Sequence, residues 1–538
     1  MLRIKILKRV ARNPTAFIHQ RSVSMITVST KKDYVNDSDK IKKNYVAVVG
    51  SGPAGYYTAL KLLENKDIFG VDIFEKMPVP FGLVRYGVAP DHPEVKDERV
   101  RFFGNIGVGK DKDICVEDLK NLYHAVVLSY GAETSRNLNI PGEEGIIIQD
   151  STSKQEKRIG GVYRARDFVN YYNGYPEAQT KFPVDFLSGS KNKKVAIFGM
   201  GNVSLDVARI LLKDPESLAT TDISKNALEM LHQSKVSHVD IIARRGPLNI
   251  AFTTKEVREL LKLPNVKLDM DKRDIMDSLN NEISQQELKS NRPLGRMLGV
   301  ITKYLDSQVA KSPAERVSDT LADVDKRTKT WALKFMLSPK RITFPNSDPN
   351  QNPLDFSQSI ELEKNAFVGA PTLRSRPVGT NQFINLDYNI AFQSIGYKSI
   401  GISGVPFNSK KNIIPNVSGR VIEYTEEKGE GQILPGLYVS GWIKTGPTGI
   451  LANTMYDSFD TASAIIKDLD LGLLEKEHVF DRKVLIDQRL KALGVFDKCV
   501  DYNMYLKINE SELETGRELG KASEKISSID EMLRVARS

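Results

Sequence analysis

The sequence predicts an α/β protein with two Rossmann-like dinucleotide-binding domains, and two stretches predict it. From Tyr45 the chain reads YVAVVGSGPAGYYTALKLL and, after a short gap, VDIFEK; from Lys194 it reads KVAIFGMGNVSLDVARILL and, further on, VDIIARRGP. Each is a β-branched strand, a glycine turn, a helix with apolar periodicity and a second strand. At 538 residues the chain is too long for one ordinary core, which agrees with two or more domains.

The elements follow in chain order. The first 32 residues carry eight Lys or Arg (Arg3, Lys5, Lys8, Arg9, Arg12, Arg21, Lys31, Lys32) and no acid. Leu2, Ile6 and Val10 alternate with these charges, the pattern of a mitochondrial presequence; a disordered basic tail is the other reading. Of the formal charge of +9, only +1 remains for the rest of the chain, so no general nucleic-acid-binding role is expected. No transmembrane segment is expected either. The nearest apolar run, Asn44 to Leu60, is broken by three glycines and a proline, short of the roughly 18 to 20 apolar residues that span a bilayer.

In the first loop, Gly50 permits the tight turn, Gly52 lets the backbone approach a pyrophosphate and Gly55 lets helix and strand pack closely. The following helix N-terminus supplies free N–H groups for phosphates. Glu75, at the end of the next strand, can accept from both hydroxyls of an unphosphorylated adenosine ribose. In the second loop Gly199, Gly201 and the small Ser204 repeat the pattern. Here the next strand runs into Arg244 and Arg245, side chains suited to an adenosine 2′-phosphate. Solvated surface charges are the bland alternative. Arg244 lies 40 residues after Ser204, so roughly Asp214 to Ser237 reads as an insertion. The economical assignment is FAD in the first loop and NADP(H) in the second, although spacing alone does not separate FAD from NAD at the first.

Two cysteines, Cys115 and Cys499, lie far apart. Their number excludes a disulfide framework, a thiolate-bound iron–sulfur cluster and a four-cysteine zinc site, and no metal site is expected.

PVPFGLVRYGVAPDHPEVK (78–96) and GWIKTGPTGIL (441–451), with both glycine loops and RRGP, resemble the mitochondrial adrenodoxin reductase family of ferredoxin–NADP⁺ reductases. The likeness runs from about Tyr45 to the closing GKASEKISSIDEML. It implies an NADP domain (141–374) inserted into a discontinuous FAD domain (45–140 and 375–538), with 1–32 as presequence and IPGEE (Ile140 to Glu144) as a hinge. It places FAD at Ala54, Glu75, Leu83, Val108, Trp442, Gly449, Ile450 and Leu451. It places NADP at Met200, Gly201, Asn202, Val203, Arg244, Arg245, Glu256 and Gly449. Independently, LYVS (437–440) reads as a strand and Gly449 onward as a helix start. Such a terminus would stabilise negative charge on a reduced flavin, and a simple turn is the alternative.

By the same resemblance, His92 and Asp206 belong to a hydrogen-bond network near the flavin, though a lone loop histidine is more often structural. Two departures from the family stand out: the segment after Lys96 is shorter, and Thr445 occupies a position where arginine is common. The acceptor implied is a small acidic [2Fe–2S] ferredoxin docking on Arg258, Arg292 and Arg296. The setting implied is the mitochondrial matrix or the matrix face of the inner membrane, with peripheral attachment through partners. Reduced ferredoxin would then support iron–sulfur cluster assembly, haem A synthesis or steroid hydroxylation. A flavin monooxygenase and a non-enzymatic redox sensor are the competing classes. A disulfide reductase would need a cysteine pair that is absent.

Overall fold

Strand β1 (Asn44–Val49) is buried at every residue. A β-branched run without polar alternation suits a strand covered on both faces, and β1 is central to its sheet. Tyr45, Ala47 and Val49 enter one core cluster, Val46 and Val48 another, as the two-residue side-chain period dictates. Burying each valine of this strand contributes about 1.5–3 kcal/mol. Helix α1 (Pro53–Leu62) follows with proline in its first turn, where no backbone N–H is missed. β2 (Ile68–Phe74) and β3 (Val100–Phe103) extend the sheet on one side, and β4 (Ala125–Leu128) joins β1 on the other, all parallel. The computed structural model describes residues 44–87, 98–149, 156–183, 187–189, 192–310, 328–344, 356–449, 451–474 and 482–538. The expected presequence, His92, Ile450 and most of the shortened stretch around Lys96 lie outside them.

The chain then leaves through β5 (Thr134–Ser135) and a hairpin of β6 (Ile146–Gln149) and β7 (Glu156–Ile159). The second lobe contains β8 (Tyr163–Arg164), β9 (Lys193–Phe198), helix α2 (Asn202–Leu212), β10 (Val236–Ile242), helix α3 (Thr254–Leu261), β11 (Val266–Leu268), helix α4 (Arg292–Ala310) and β12 (Lys329–Lys334). β10 begins at Val236, three residues before the apolar run that marked it in the sequence. Its opening Ser237 and His238 are only half-buried. The stretch read as an insertion forms a 3-10 turn, Pro215–Leu218, and a helix, Lys225–His232. An antiparallel sheet of β13 (Leu337–Thr343), β14 (Gln358–Phe367) and β15 (Pro377–Tyr388) precedes β16 (Ile390–Gln393). β16 lies beyond residue 374, yet pairs in parallel with β9 and β8.

The return runs through β17 (Tyr397–Lys398), which pairs antiparallel with β5, so the two crossings form one ribbon. β18 (Asn416–Val417), β19 (Arg420–Thr425) and β20 (Gly429–Val439) complete the first sheet, with β20 parallel to β4. The sheet orders are β18-β19-β20-β4-β1-β2-β3 and β11-β12-β10-β9-β16-β8. In each, the strand before the glycine turn sits at the point where strand order reverses, the usual place for a ligand in open α/β sheets. Helices α5 (Leu451–Asp470) and α6 (Tyr502–Glu518) follow. Among the described residues no helix is long and apolar enough to cross a membrane.

Candidate functional site

The two glycine turns share their construction. Gly50 and Gly199 have φ of +103° and +123°, backbone that side-chain-bearing residues avoid. A Cβ on Gly50 would lie 2.7 Å from the carbonyl oxygen of Ser129, and one on Gly199 would lie 2.2 Å from that of Ser394. Both serines directly follow the strand paired with the one before the turn, β4 beside β1 or β16 beside β9. The next glycines differ in kind: a Cβ on Gly52 or Gly201 would meet nothing within 4 Å. Each occupies the N-cap of its helix, with no side chain capping the free N–H groups. Gly55 abuts the Gly50 carbonyl oxygen, and the Ser204 hydroxyl donates to Gly199 O at 2.8 Å. Open backbone and uncapped N–H groups at a helix start form an anion cradle.

Around the first turn, Glu75 accepts from the Ser51 N–H and hydroxyl at 3.0 and 2.7 Å and from the Met77 N–H at 3.1 Å. The acid is thereby fixed beside the turn. The PFGL segment folds over it: Phe81 N–H donates to Ser51 O at 3.0 Å. Leu83, opening a short helix to Gly87, remains 37% exposed. Val108 is half-buried in a bridge to Ile114. From the C-terminal half, Gly441 approaches so closely that its Cβ would lie 2.5 Å from that of Ala54 and 3.9 Å from a Thr454 methyl. The first turns of α1 and α5 thus converge on Gly441, with Trp442 next to it and Gly449 and Leu451 at the start of α5. The expected strand and helix start at 437–451 are both present. Thr445 is exposed and its hydroxyl turns back to Gly441 O and Gly446 O.

Around the second turn, Met200 is buried and Asn202 accepts the Thr253 N–H at 2.8 Å, tying the start of α2 to that of α3. Val203 is half-buried. VDIIA aligns with VDIFE of the first lobe, so Ala243 stands where Glu75 stands and the arginines follow. Arg244 is exposed and Arg245 half-buried. Among the described residues neither has a carboxylate within ion-pair distance. Burial and the neighbouring Arg244 push the Arg245 guanidinium down from its ordinary value, as expected for two like charges without a counter-ion. Asp206, on α2, is held by Arg209 at 2.5 Å. Burial, then Asp206 and Glu259, push the Glu256 carboxyl up. Arg258, Arg292 and Arg296 are all exposed on α3 and α4, two helices that pack together.

Sequence reasoning missed several residues that shape these sites. Ser129 and Ser394 set the turn geometry, and their only sequence signal is a position just after an apolar strand. Asn365 donates its amide to Arg244 O at 2.8 Å and to the Ser338 hydroxyl at 2.8 Å, bracing the arginine turn from β14. Tyr397 stacks on Trp442 with centroids 5.9 Å apart, joining a crossing strand to the expected flavin side. Contacts between residues far apart in the chain leave no local pattern to read.

Fold and site together define an α/β protein with paired dinucleotide sites, one lobe inserted into the other. No protein-family model matches the chain. Human mitochondrial NADPH:adrenodoxin oxidoreductase is 40% identical over 510 residues, 93% of this chain and 93% of that protein. Its counterpart from Salvelinus fontinalis is 39% identical over 505 residues, 92% and 91% of the two chains. A probable one from Schizosaccharomyces pombe is 33% identical over 527 residues, 95% and 99%. Among solved structures, Mycobacterium tuberculosis FprA in complex with NADPH matches with a TM-score of 0.74 at 31% identity, covering 92% of this chain and 100% of that one. The chain belongs to the NADPH:adrenodoxin oxidoreductase family.

Proposed function

We propose that this protein transfers electrons from NADPH, through FAD held in the first lobe, to a mitochondrial [2Fe–2S] ferredoxin. The observation that carries the reading is the contrast at the ends of β2 and β10. Glu75 is an acceptor for ribose hydroxyls, and Arg244 and Arg245 form a cationic pair with no carboxylate partner among the described residues. FAD, when bound, takes two electrons from NADPH and releases them singly.

The residues fit both nucleotides. Gly52 and Gly201 leave open space beside uncapped helix starts, where a pyrophosphate needs close backbone approach. Ala54, Leu83, Val108, Trp442, Gly449, Ile450 and Leu451 would border FAD. Met200, Asn202, Val203 and Glu256, with Gly449, would border NADPH. Asp206, fixed by Arg209, would position groups or supply a proton together with His92. In this reading the lobes divide at the β5–β17 ribbon, so the inserted domain extends to about Gln393 instead of 374. Arg258, Arg292 and Arg296 would dock the acidic ferredoxin, making association fast and salt-sensitive. Residues 1–32 would direct the protein to the matrix, where reduced ferredoxin serves iron–sulfur cluster assembly, haem A synthesis or steroid hydroxylation.

The test is cytochrome c reduction by the purified protein with NADPH, with and without a mitochondrial-type ferredoxin. Strong stimulation by ferredoxin, weakened by salt, by NADH in place of NADPH, and by Arg258, Arg292 and Arg296→Glu, is expected. Flavin reduction without any ferredoxin effect would remove the acceptor from the reading.

A further inference from the structure

Two features of the sequence serve neither glycine turn: the insertion at 214–237 and the closing GKASEKISSIDEML (Gly520 to Leu533). The structure joins them. Lys521 and Lys525 have side chains only 4% and 6% exposed. The Lys521 ammonium donates to the Ile223 carbonyl and to Glu524, and Lys525 donates to the Asp222 carboxylate at 2.6 Å. Glu524 also accepts the Lys225 N–H at 2.9 Å. Asp222, Ile223 and Lys225 all lie in the insertion, part of the second lobe.

The chain leading into this segment, from Val500 through α6, and Met532 within it belong to the first lobe. Val500 and Gly104 exchange backbone hydrogen bonds at 2.8 and 3.0 Å. Tyr505, Ile508 and Met532 share a core cluster with Met77, Val79 and Tyr86. Glu512, on α6, is buried and takes both hydrogen bonds of the Arg85 Nη2, at 2.5 and 2.6 Å. It also accepts the Ile526 N–H at 2.9 Å, one residue past Lys525. The clasp is therefore anchored to the short helix that carries Leu83.

Buried ammonium groups are costly to desolvate, and apolar replacements of similar volume are often as stable. Stability alone thus does not account for two of them here. What ion pairs and hydrogen bonds add over apolar contact is a defined direction and distance. We propose that Lys521, Lys525 and Glu524 are positioning residues: they clasp the inserted lobe to the first so that the second dinucleotide meets the flavin in register for hydride transfer. This rests on the two-nucleotide reading above. The β5–β17 ribbon joins the lobes by short strands, the Leu83–Gly87 helix packs on Ala165–Tyr172 with Tyr86 edge-on to Tyr175, and the clasp adds ion pairs with a fixed direction.

The experiment uses FAD-loaded full-length protein carrying Lys525→Met or Asp222→Asn. We expect the rate of flavin reduction by NADPH to fall at least tenfold, with FAD content and affinity for 2′,5′-ADP unchanged. The deuterium isotope effect of 4-deuterated NADPH on kcat should rise as hydride transfer becomes limiting. Independently of turnover, backbone amides of 134–136 and 396–398 should exchange hydrogen faster without NADPH. The swapped pair, Lys525→Glu with Asp222→Lys, should recover both readouts in part. Wild-type reduction rates with unchanged exchange in the ribbon would overturn the proposal. Should Lys525→Met fail to hold FAD, Asp222→Asn at its half-exposed position decides. If even the unaltered protein does not oxidise NADPH, the functional reading falls, and the exchange measurement still judges the clasp.

Discussion

The two lobes use the same turn and end their second strands differently. In each, a glycine with positive φ lies against the carbonyl of a serine just past the neighbouring strand, β4 or β16, and a second glycine opens the helix. Each second strand contains VDI and buries its aspartate, Asp72 or Asp240, against a tyrosine hydroxyl at 2.6 or 2.7 Å. Divergence starts only at the strand end, where Glu75 is locked to Ser51 and Arg244 and Arg245 stand without a carboxylate among the described residues. The comparison teaches that one turn serves both lobes; in the proposed function it would take a pyrophosphate in each, and the side chains just past the second strand would select the ribose.

The largest effect should come from breaking the shared part. Gly50→Val and Gly199→Val each force a branched side chain into left-handed backbone and onto a carbonyl oxygen. A loss of roughly 3 kcal/mol or more is expected for either. Chemical denaturation followed by flavin absorbance should separate them: Gly50→Val loses FAD, whereas Gly199→Val retains FAD and loses NADPH binding. Loss of FAD from both would show that the lobes do not fold as separable units.

Next in size is the cationic end. A hydrogen bond to a charged group contributes about 1.5–3 kcal/mol. Arg244→Ala with Arg245→Ala should therefore raise the KM for NADPH by at least about a hundredfold. kcat should change little, and so should the KM for NADH. Steady-state kinetics with both coenzymes checks this, and an equal loss for NADH would mean that the arginines bind something other than the 2′-phosphate.

Much of this contrast was legible in the sequence because it is local. Gly50, Gly52 and Gly55 fall within six residues, and strand, turn and helix follow one another. Glu75 and the arginines were likewise visible as strand ends. The placement of β16 was not: a four-residue apolar strand beyond residue 374 carries no mark of the sheet it will join. Nor was the clasp, because Lys521 and Lys525 look like solvated charges until the partner residues at 222–225 are brought against them. The His92 expectation falls outside the described residues.

A smaller effect should sharpen the acidic end. Glu75→Gln keeps an acceptor for Ser51 but removes the charge that strengthens hydrogen bonds from ribose hydroxyls. About tenfold weaker FAD binding is expected, close to 1.4 kcal/mol. Fluorescence titration of the apoprotein with FAD measures it. NADPH binding should not change, since β2 and β10 belong to different sheets.

The smallest effect concerns the acid beside the second turn. Burial, then Asp206 and Glu259, raise the Glu256 carboxyl above its ordinary value of 4.5. Between that value and the raised one, the folded protein binds more protons here than the unfolded chain does. Stability therefore falls as pH rises through this window, and the penalty is complete above it. Glu256→Gln removes the penalty, so its Tm should exceed that of the unaltered protein near pH 7, by no more than about 2 °C for a chain of this size. The gain should vanish below the ordinary carboxylate value, where both forms are neutral. A gain that persists there would mean that packing, not charge, burdens Glu256. The acids around α2 and α3 would then place no electrostatic load on the second turn, and the contrast between the lobes would rest on the strand ends alone.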